Sequence, residues 1–205
     1  MNLDNINEIA EYIVSDGKGI LAADESNPTC GKRFDSIGVE SSEENRRDYR
    51  ELLFRSDGMV GNIGGVILFD ETIRQNAADG TSMVDLISSQ GALPGIKVDK
   101  GLQQMDDSEE SLTQGLDGLD ERLKEYFALG ARFTKWRAVI NIGMGLPSSE
   151  AISANMEALA DYAKIVQNNN MVPMVEPEVL MEGDHSIDAC YEATSKCLDS
   201  LFSNL

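Results

Sequence analysis

Apolar residues fall along this chain in two alternating rhythms. Short, Gly-flanked runs of nearly continuous apolar character predict strands at Gly19 to Asp24 (GILAAD), Gly64 to Phe69 (GGVILF), Gly95 to Asp99 (GIKVD), Ala131 to Ile140 (ARFTKWRAVI) and Val172 to Leu180 (VPMVEPEVL). Between them the apolar positions recur at helical period. Ser41 and Glu44 have capping-box spacing ahead of a run to Phe54, Pro147 and Ser148 open a helix reaching about Gln167, and Ser186 to Phe202 alternates as a helix does. The opening stretch MNLDNINEIAEYIV reads as an amphipathic helix. Strand starts roughly 30 to 45 residues apart leave room for one helix between successive strands, which predicts a parallel α/β fold of the (β/α) barrel kind. No linker or composition shift divides residues 1–205, so one domain is expected.

The strands break the apolar rule in a patterned way. Lys97 and Asp99, Lys135 and Arg137, and Glu176 and Glu178 are each two residues apart, and Asp24 closes the first strand. Side chains at i and i+2 of a strand share a face, so each pair points one way among apolar neighbours. In a parallel α/β fold the charges would converge at the carboxyl ends of the strands, where such folds place active sites. Cations mixed with carboxylates suit an anionic, phosphorylated substrate and a reaction with proton transfer. The same residues also read as buried, mutually satisfied ion pairs without chemistry, and the pattern alone leaves both readings open.

Composition narrows the classes of partner. Seventeen Lys and Arg against 36 Asp and Glu give a net charge of −19, which repels nucleic acid and anionic membrane surfaces. No apolar run approaches membrane-spanning length, and the amino terminus lacks the basic region of a signal peptide. Cys30, Cys190 and Cys197 form no C-x-x-C pattern and are odd in number, so a reducing cytoplasm is the expected compartment. The acidic stretch Asp106 to Glu110 reads as a solvated loop.

Other chemistries find less support. The one histidine, His185, lies in an acidic turn and reads as a surface residue rather than a metal ligand. A Ser/His/Asp arrangement is unconvincing with a single histidine so placed, and neither nucleotide fingerprint occurs. Cys30 reads as a small buried hydrophobe.

The runs GKGILAADES, SSEENRRDYRELLF, GGVILFDETI, PGIKVDKGL, TQGLDGLDERL, FTKWRAVI and VPMVEPEVLMEGDH follow one another from near the amino terminus to Leu205. Taken together they resemble the class I fructose-bisphosphate aldolases. The resemblance implies a TIM (β/α)8 barrel and reversible cleavage of fructose 1,6-bisphosphate to dihydroxyacetone phosphate and glyceraldehyde 3-phosphate. It implies a lysine Schiff base, no metal or other cofactor, a phosphorylated sugar substrate and a homo-oligomer. Residue by residue, Asp24 in LAADES resembles the aspartate that helps form the carbinolamine and break the carbon–carbon bond. Lys135 in TKWR resembles the assisting lysine, with Arg137 in the adjoining charge network. Glu176 in VEPE resembles the general acid/base, and Glu178 its supporting partner. Lys97 in IKVDK resembles the phosphate-side lysine, while Arg33 in GKRF and Arg46 in EENRR resemble arginines directed at substrate phosphate.

In that family the Schiff-base lysine lies on the sixth strand, whereas this sequence stops after the helix that follows its fifth. A whole barrel of this kind runs to about 250 residues. The expectation is therefore about the first five β/α units of an aldolase barrel, active when a second chain supplies the missing strands. The alternative is a catalytically inactive, aldolase-derived binding or interaction module whose exposed sheet edges pair with another chain.

Overall fold

All five expected strands form, each with bounds within a few residues of those the apolar runs suggest. In the computed structural model, which describes residues 5–105, 108–143 and 145–205, the chain runs α1 (Ile6–Ile13), β1 (Gly19–Ala23), α2 (Asn27–Asp35), α3 (Glu43–Phe54), β2 (Ile63–Leu68), α4 (Asp70–Ile73), α5 (Met83–Ser89), β3 (Leu93–Lys97), β4 (Leu102–Gln104), β5 (Ser111–Thr113), α6 (Leu119–Leu129), β6 (Phe133–Ile140), α7 (Ser149–Asn168), β7 (Val172–Val179) and α8 (Ile187–Asn204). Asp24, Phe69 and Asp99 sit just beyond the strand ends rather than inside the strands. That puts Asp24 and Asp99 where a loop, not a ladder, sets their backbone.

The long strands form one sheet in the order β1-β2-β3-β6-β7, and β4 and β5 form an antiparallel hairpin. β1 to β2 and β2 to β3 pair in parallel, Gly65 of β2 standing between Ile20 and Leu93. The same direction continues through Arg132 N to Pro94 O at 2.9 Å and Val98 N to Lys135 O at 3.0 Å, then through Val172 N to Arg132 O at 3.1 Å and Leu180 N to Ile140 O at 2.9 Å. In each pair of bonds both residue numbers rise together, as only parallel strands allow.

The chain divides into two compact units, the first made of Met1–Lys97, Leu123–Thr134 and Asn170–Val172, the second of Val98–Arg122, Lys135–Asn169 and Pro173–Leu205. In the first, the buried ring of Phe133 lies over β2 and β3 where both strands carry glycine. A Cβ on Gly95 would stand 2.3 Å from that ring and one on Gly65 2.9 Å, so the absent side chains are what admit the aromatic layer. α1, capped by Asn5 Oδ1, buries Ile9 and Ile13 and donates Tyr12 Oη to Gly91 O at 2.5 Å. Residues 1–4 of the expected first helix lie outside the described residues.

In the second unit Trp136 is fully buried and its ring meets Tyr162 of α7 at 5.3 Å. α7 carries Ser148 as its cap, Oγ accepting from Ala151 N, so Pro147 precedes the helix rather than opening it. α8 packs on α7 with Ala193, Cys197 and Leu201 buried, while Ile187, Tyr191 and Phe202 on its other side are exposed.

Two local expectations need correction. The cap of α3 is Ser42, whose Oγ accepts from Asn45 N, and not Ser41, whose carbonyl instead accepts from Arg46. The acidic stretch is not wholly solvated: Glu110 is buried and its Oε1 accepts from Ser148 N at 2.8 Å, ahead of α7. A carboxylate that answers a helix-terminal N–H is held by geometry that a charge run cannot reveal. Asp106 and Asp107 lie outside the described residues.

Candidate active site

Strand alternation and the ends of the strands deliver the charged groups, and each unit holds a set of its own. In the first unit Asp24 follows Ala23, the last residue of β1, and is 9% exposed. The next residue, Glu25, accepts from Tyr49 Oη at 3.2 Å and forms a close ion pair with Arg33, which stands in the last turn of α2. Burial works against the Arg33 cation, but the Glu25 carboxylate and the Tyr49 hydroxyl outweigh it and hold the guanidinium above its ordinary pKa. The Arg33 side chain is 54% exposed, so it alone among the arginines expected in this unit can swing toward a ligand without leaving a buried position.

Helix α3 presents Arg46, Arg50 and Phe54 at four-residue spacing, on one face, and all three are buried. Arg46 grips Glu71 as a fork, Nε to Oε1 at 2.8 Å and Nη2 to Oε2 at 2.6 Å, and its Nη1 donates to Ser41 O at 2.5 Å. Glu71 also accepts from Asn27 Nδ2 at 3.2 Å. The Arg46 hydrogen bonds hold the Glu71 carboxyl below its ordinary pKa against a burial effect that raises it. Reaching a phosphate from this position would require Arg46 to give up that fork. Lys97 ends β3 and is half-buried.

The second unit arranges its charges as rungs between neighbouring strands. On β6 the residues alternate: Thr134, Trp136 and Ala138 are buried on one side, while Lys135 and Arg137 share the other. Lys135 Nζ lies 3.1 Å from Glu176 Oε2, and Arg137 Nε lies 3.2 Å from Glu178 Oε2. Lys135 is the sheltered member, its side chain 12% exposed beside a Glu176 that is 37% exposed. Arg137 and Glu178 are more open, at 44% and 35%. The strand that carries these cations is pinned by Trp136 on Tyr162 and by Thr113 Oγ1, which donates to Arg137 O at 2.9 Å. A lysine held against a carboxylate that solvent and a ligand can still reach is an arrangement suited to passing a proton.

The sheet thus joins the two expected same-face pairs across neighbouring strands, Lys135 to Glu176 and Arg137 to Glu178, and Arg33 and Arg46 each have a carboxylate partner that the sequence reading did not name. Glu25, Glu71, Tyr49 and Arg50 went unnoticed there. The signal for Arg50 was present, since it lies four residues after Arg46 on a helix, and Glu71 stands three residues past the end of β2, in α4. His185 sits half-buried in the turn before α8, and among the described residues no group of three or more His, Cys, Asp or Glu side chains is placed to hold a metal ion. The cysteines are all free, and no described helix is long and apolar enough to cross a membrane.

Comparison with known proteins adds the following. A family model described as fructose-bisphosphate aldolase class-I matches residues 5–205. A "Probable fructose-bisphosphate aldolase class 1" of Xanthomonas campestris is 53% identical over the whole of this chain, which spans 62% of that protein's length. The "Fructose-bisphosphate aldolase 6, cytosolic" of Arabidopsis thaliana is 52% identical over 96% of the chain and 55% of its own length. Among solved structures, the fructose-bisphosphate aldolase of Plasmodium falciparum, in a ternary complex with TRAP and a small-molecule inhibitor, superposes with a TM-score of 0.94 at 50% identity. The chain covers 58% of that molecule.

Proposed function

The chain belongs to the class I fructose-bisphosphate aldolase family, its sheet the first strands of a TIM (β/α)8 barrel, and from that membership we propose that it carries the amino-terminal half of a site for reversible cleavage of fructose 1,6-bisphosphate. The observation that carries the proposal is the Lys135–Glu176 pair at 3.1 Å. Cleavage breaks the bond between C3 and C4 of the ketose. Asp24, as carboxylate, takes the proton of the C4 hydroxyl as that bond breaks, and the electron pair stays with the ketose fragment, held as a Schiff base on the family's sixth-strand lysine. Glu176 gives and takes the protons that let water leave and return at the ketose carbonyl carbon, with Lys135 held 3.1 Å from it and Glu178 as its supporting partner. Arg33 and Lys97 hold phosphate, Arg137 balances the charge of Glu178, and Arg46 reaches phosphate by exchanging its hold on Glu71.

The same reading makes a cytoplasmic homo-oligomer, completed by the strands that its relatives carry beyond the matched stretch. It is supported by the intact LAADES, TKWR and VEPE motifs and by the cytosolic Arabidopsis relative. The test joins this chain at Leu205 to the part of the Xanthomonas campestris relative that lies beyond the match, and assays fructose 1,6-bisphosphate cleavage. The joined protein is expected to cleave the sugar and to gain one dihydroxyacetone phosphate adduct under borohydride, while the chain by itself gains none. A folded joined protein without cleavage, or a stoichiometric adduct on Lys97 or Lys135 of the chain alone, contradicts the proposal.

A further inference from the structure

Arg50, on the buried face of α3, makes its short hydrogen bonds to backbone carbonyls rather than to a carboxylate. It is fully buried. Its Nε donates to Ala23 O at 3.2 Å and its Nη2 to Glu25 O at 2.6 Å. These are the carbonyls on either side of Asp24. Carbonyls two residues apart in an extended segment point to the same edge, so one planar guanidinium can reach both at once. The carboxylates of Glu25 and Glu71, at 3.7 Å and 3.9 Å from its terminal nitrogens, balance the charge without making hydrogen bonds to it, and Nη1 has no hydrogen-bond partner. Cys30 Sγ at 3.7 Å and the Phe69 ring, centred 6.0 Å away, close the rest of its surroundings.

A buried guanidinium that leaves one nitrogen unbonded in order to bridge two peptide carbonyls is poorly explained as an ion pair, because Glu25 and Glu71 each have a closer arginine in Arg33 and Arg46. We infer that Arg50 is a positioning residue for Asp24: it fixes the Ala23–Asp24 and Glu25–Ser26 peptide planes, which bracket the Asp24–Glu25 peptide, and so the direction of the Asp24 carboxylate. β1 ends at Ala23, so beyond that point no strand ladder holds the backbone. The guanidinium takes over where the ladder stops. Lysine keeps the charge but is a single point donor on a flexible stem and cannot span two carbonyls. The inference rests on the assignment of Asp24 above.

The test compares Arg50→Lys with Asp24→Asn in the joined protein, expressing turnover per borohydride-trapped site so that unfolded material is not counted. Arg50→Lys is expected to lower kcat per trapped site about tenfold or more with KM within about twofold, and Asp24→Asn to lower it further. Asp24→Asn with unaltered turnover overturns both the assignment and this inference, whereas Asp24→Asn without activity beside Arg50→Lys with unaltered turnover overturns this inference alone. A second measurement needs no activity. In the chain by itself, amide hydrogen exchange over residues 22–26 is expected to accelerate in Arg50→Lys about tenfold relative to residues 66–68 of β2. Equal acceleration in both segments would make Arg50 a general stabiliser and overturn its positioning role.

Discussion

Arg50 in the first unit is fully buried with its guanidinium on two backbone carbonyls, whereas Lys135 in the second stands 3.1 Å from a carboxylate that is 37% exposed. The neighbours follow suit. Arg46 is 10% exposed in its side chain and forked onto Glu71, while Arg137 is 44% exposed and meets Glu178 at 3.2 Å. Buried, multiply bonded ion pairs lose much when one member is removed, because the partner is left uncompensated in a poorly solvated place. Half-exposed pairs gain little from each other and release each other readily. The difference separates two duties: the α3 cluster holds the end of β1 still, and the β6–β7 rungs remain free to exchange a partner or a proton.

Breaking the rigid side should cost the most stability. Arg50→Met is expected to lower the unfolding free energy by about 3–5 kcal/mol, since it leaves two buried carbonyls without their donor and removes the charge that offsets Glu25 and Glu71. Urea unfolding measures this, and a loss below about 1 kcal/mol would erase the contrast between the two regions.

Glu71→Gln sharpens the comparison through pH. The folded Glu71 pKa is depressed, so its stabilisation is complete above the ordinary value of 4.5 and is lost as pH falls from there through the folded value. At neutral pH the variant should be less stable by about 1–3 kcal/mol, because Arg46 is left with a weaker partner. The gap between the two proteins should close as pH drops below 4.5, and urea midpoints measured between neutral pH and mild acid follow it. A gap independent of pH would mean that the Glu71 charge contributes nothing.

The smallest effect is expected on the open rungs. Arg137→Met should change unfolding free energy by no more than about 1 kcal/mol and should reduce the salt dependence of stability slightly. A loss as large as that of Arg50→Met would show that the rungs are scaffold too.

Much of this arrangement was legible in the sequence because it depends on period. The pairs Lys135 with Arg137 and Glu176 with Glu178 share faces by strand alternation, and the strands themselves stand out as Gly-flanked apolar runs. What sequence could not supply were contacts made at a distance along the chain. Nothing local marks Arg50 as reaching back 27 residues to Ala23 O, or Arg46 as choosing Glu71, 25 residues on. The β4–β5 hairpin was missed because its strands are three residues each and β4 is exposed throughout, which leaves no apolar pattern to read. The choice of Ser42 over Ser41 as helix cap turns on a single residue of register, which composition does not resolve.

The most direct test of the division between holding and reacting is Glu176→Gln in the joined protein, with turnover and unfolding free energy measured on the same preparation. Turnover should fall by about 10²- to 10⁴-fold, the range for removing a positioned acid/base, while stability stays within about 1 kcal/mol of the parent. Unaltered turnover, or a loss of turnover that tracks a loss of folded protein, would contradict the account.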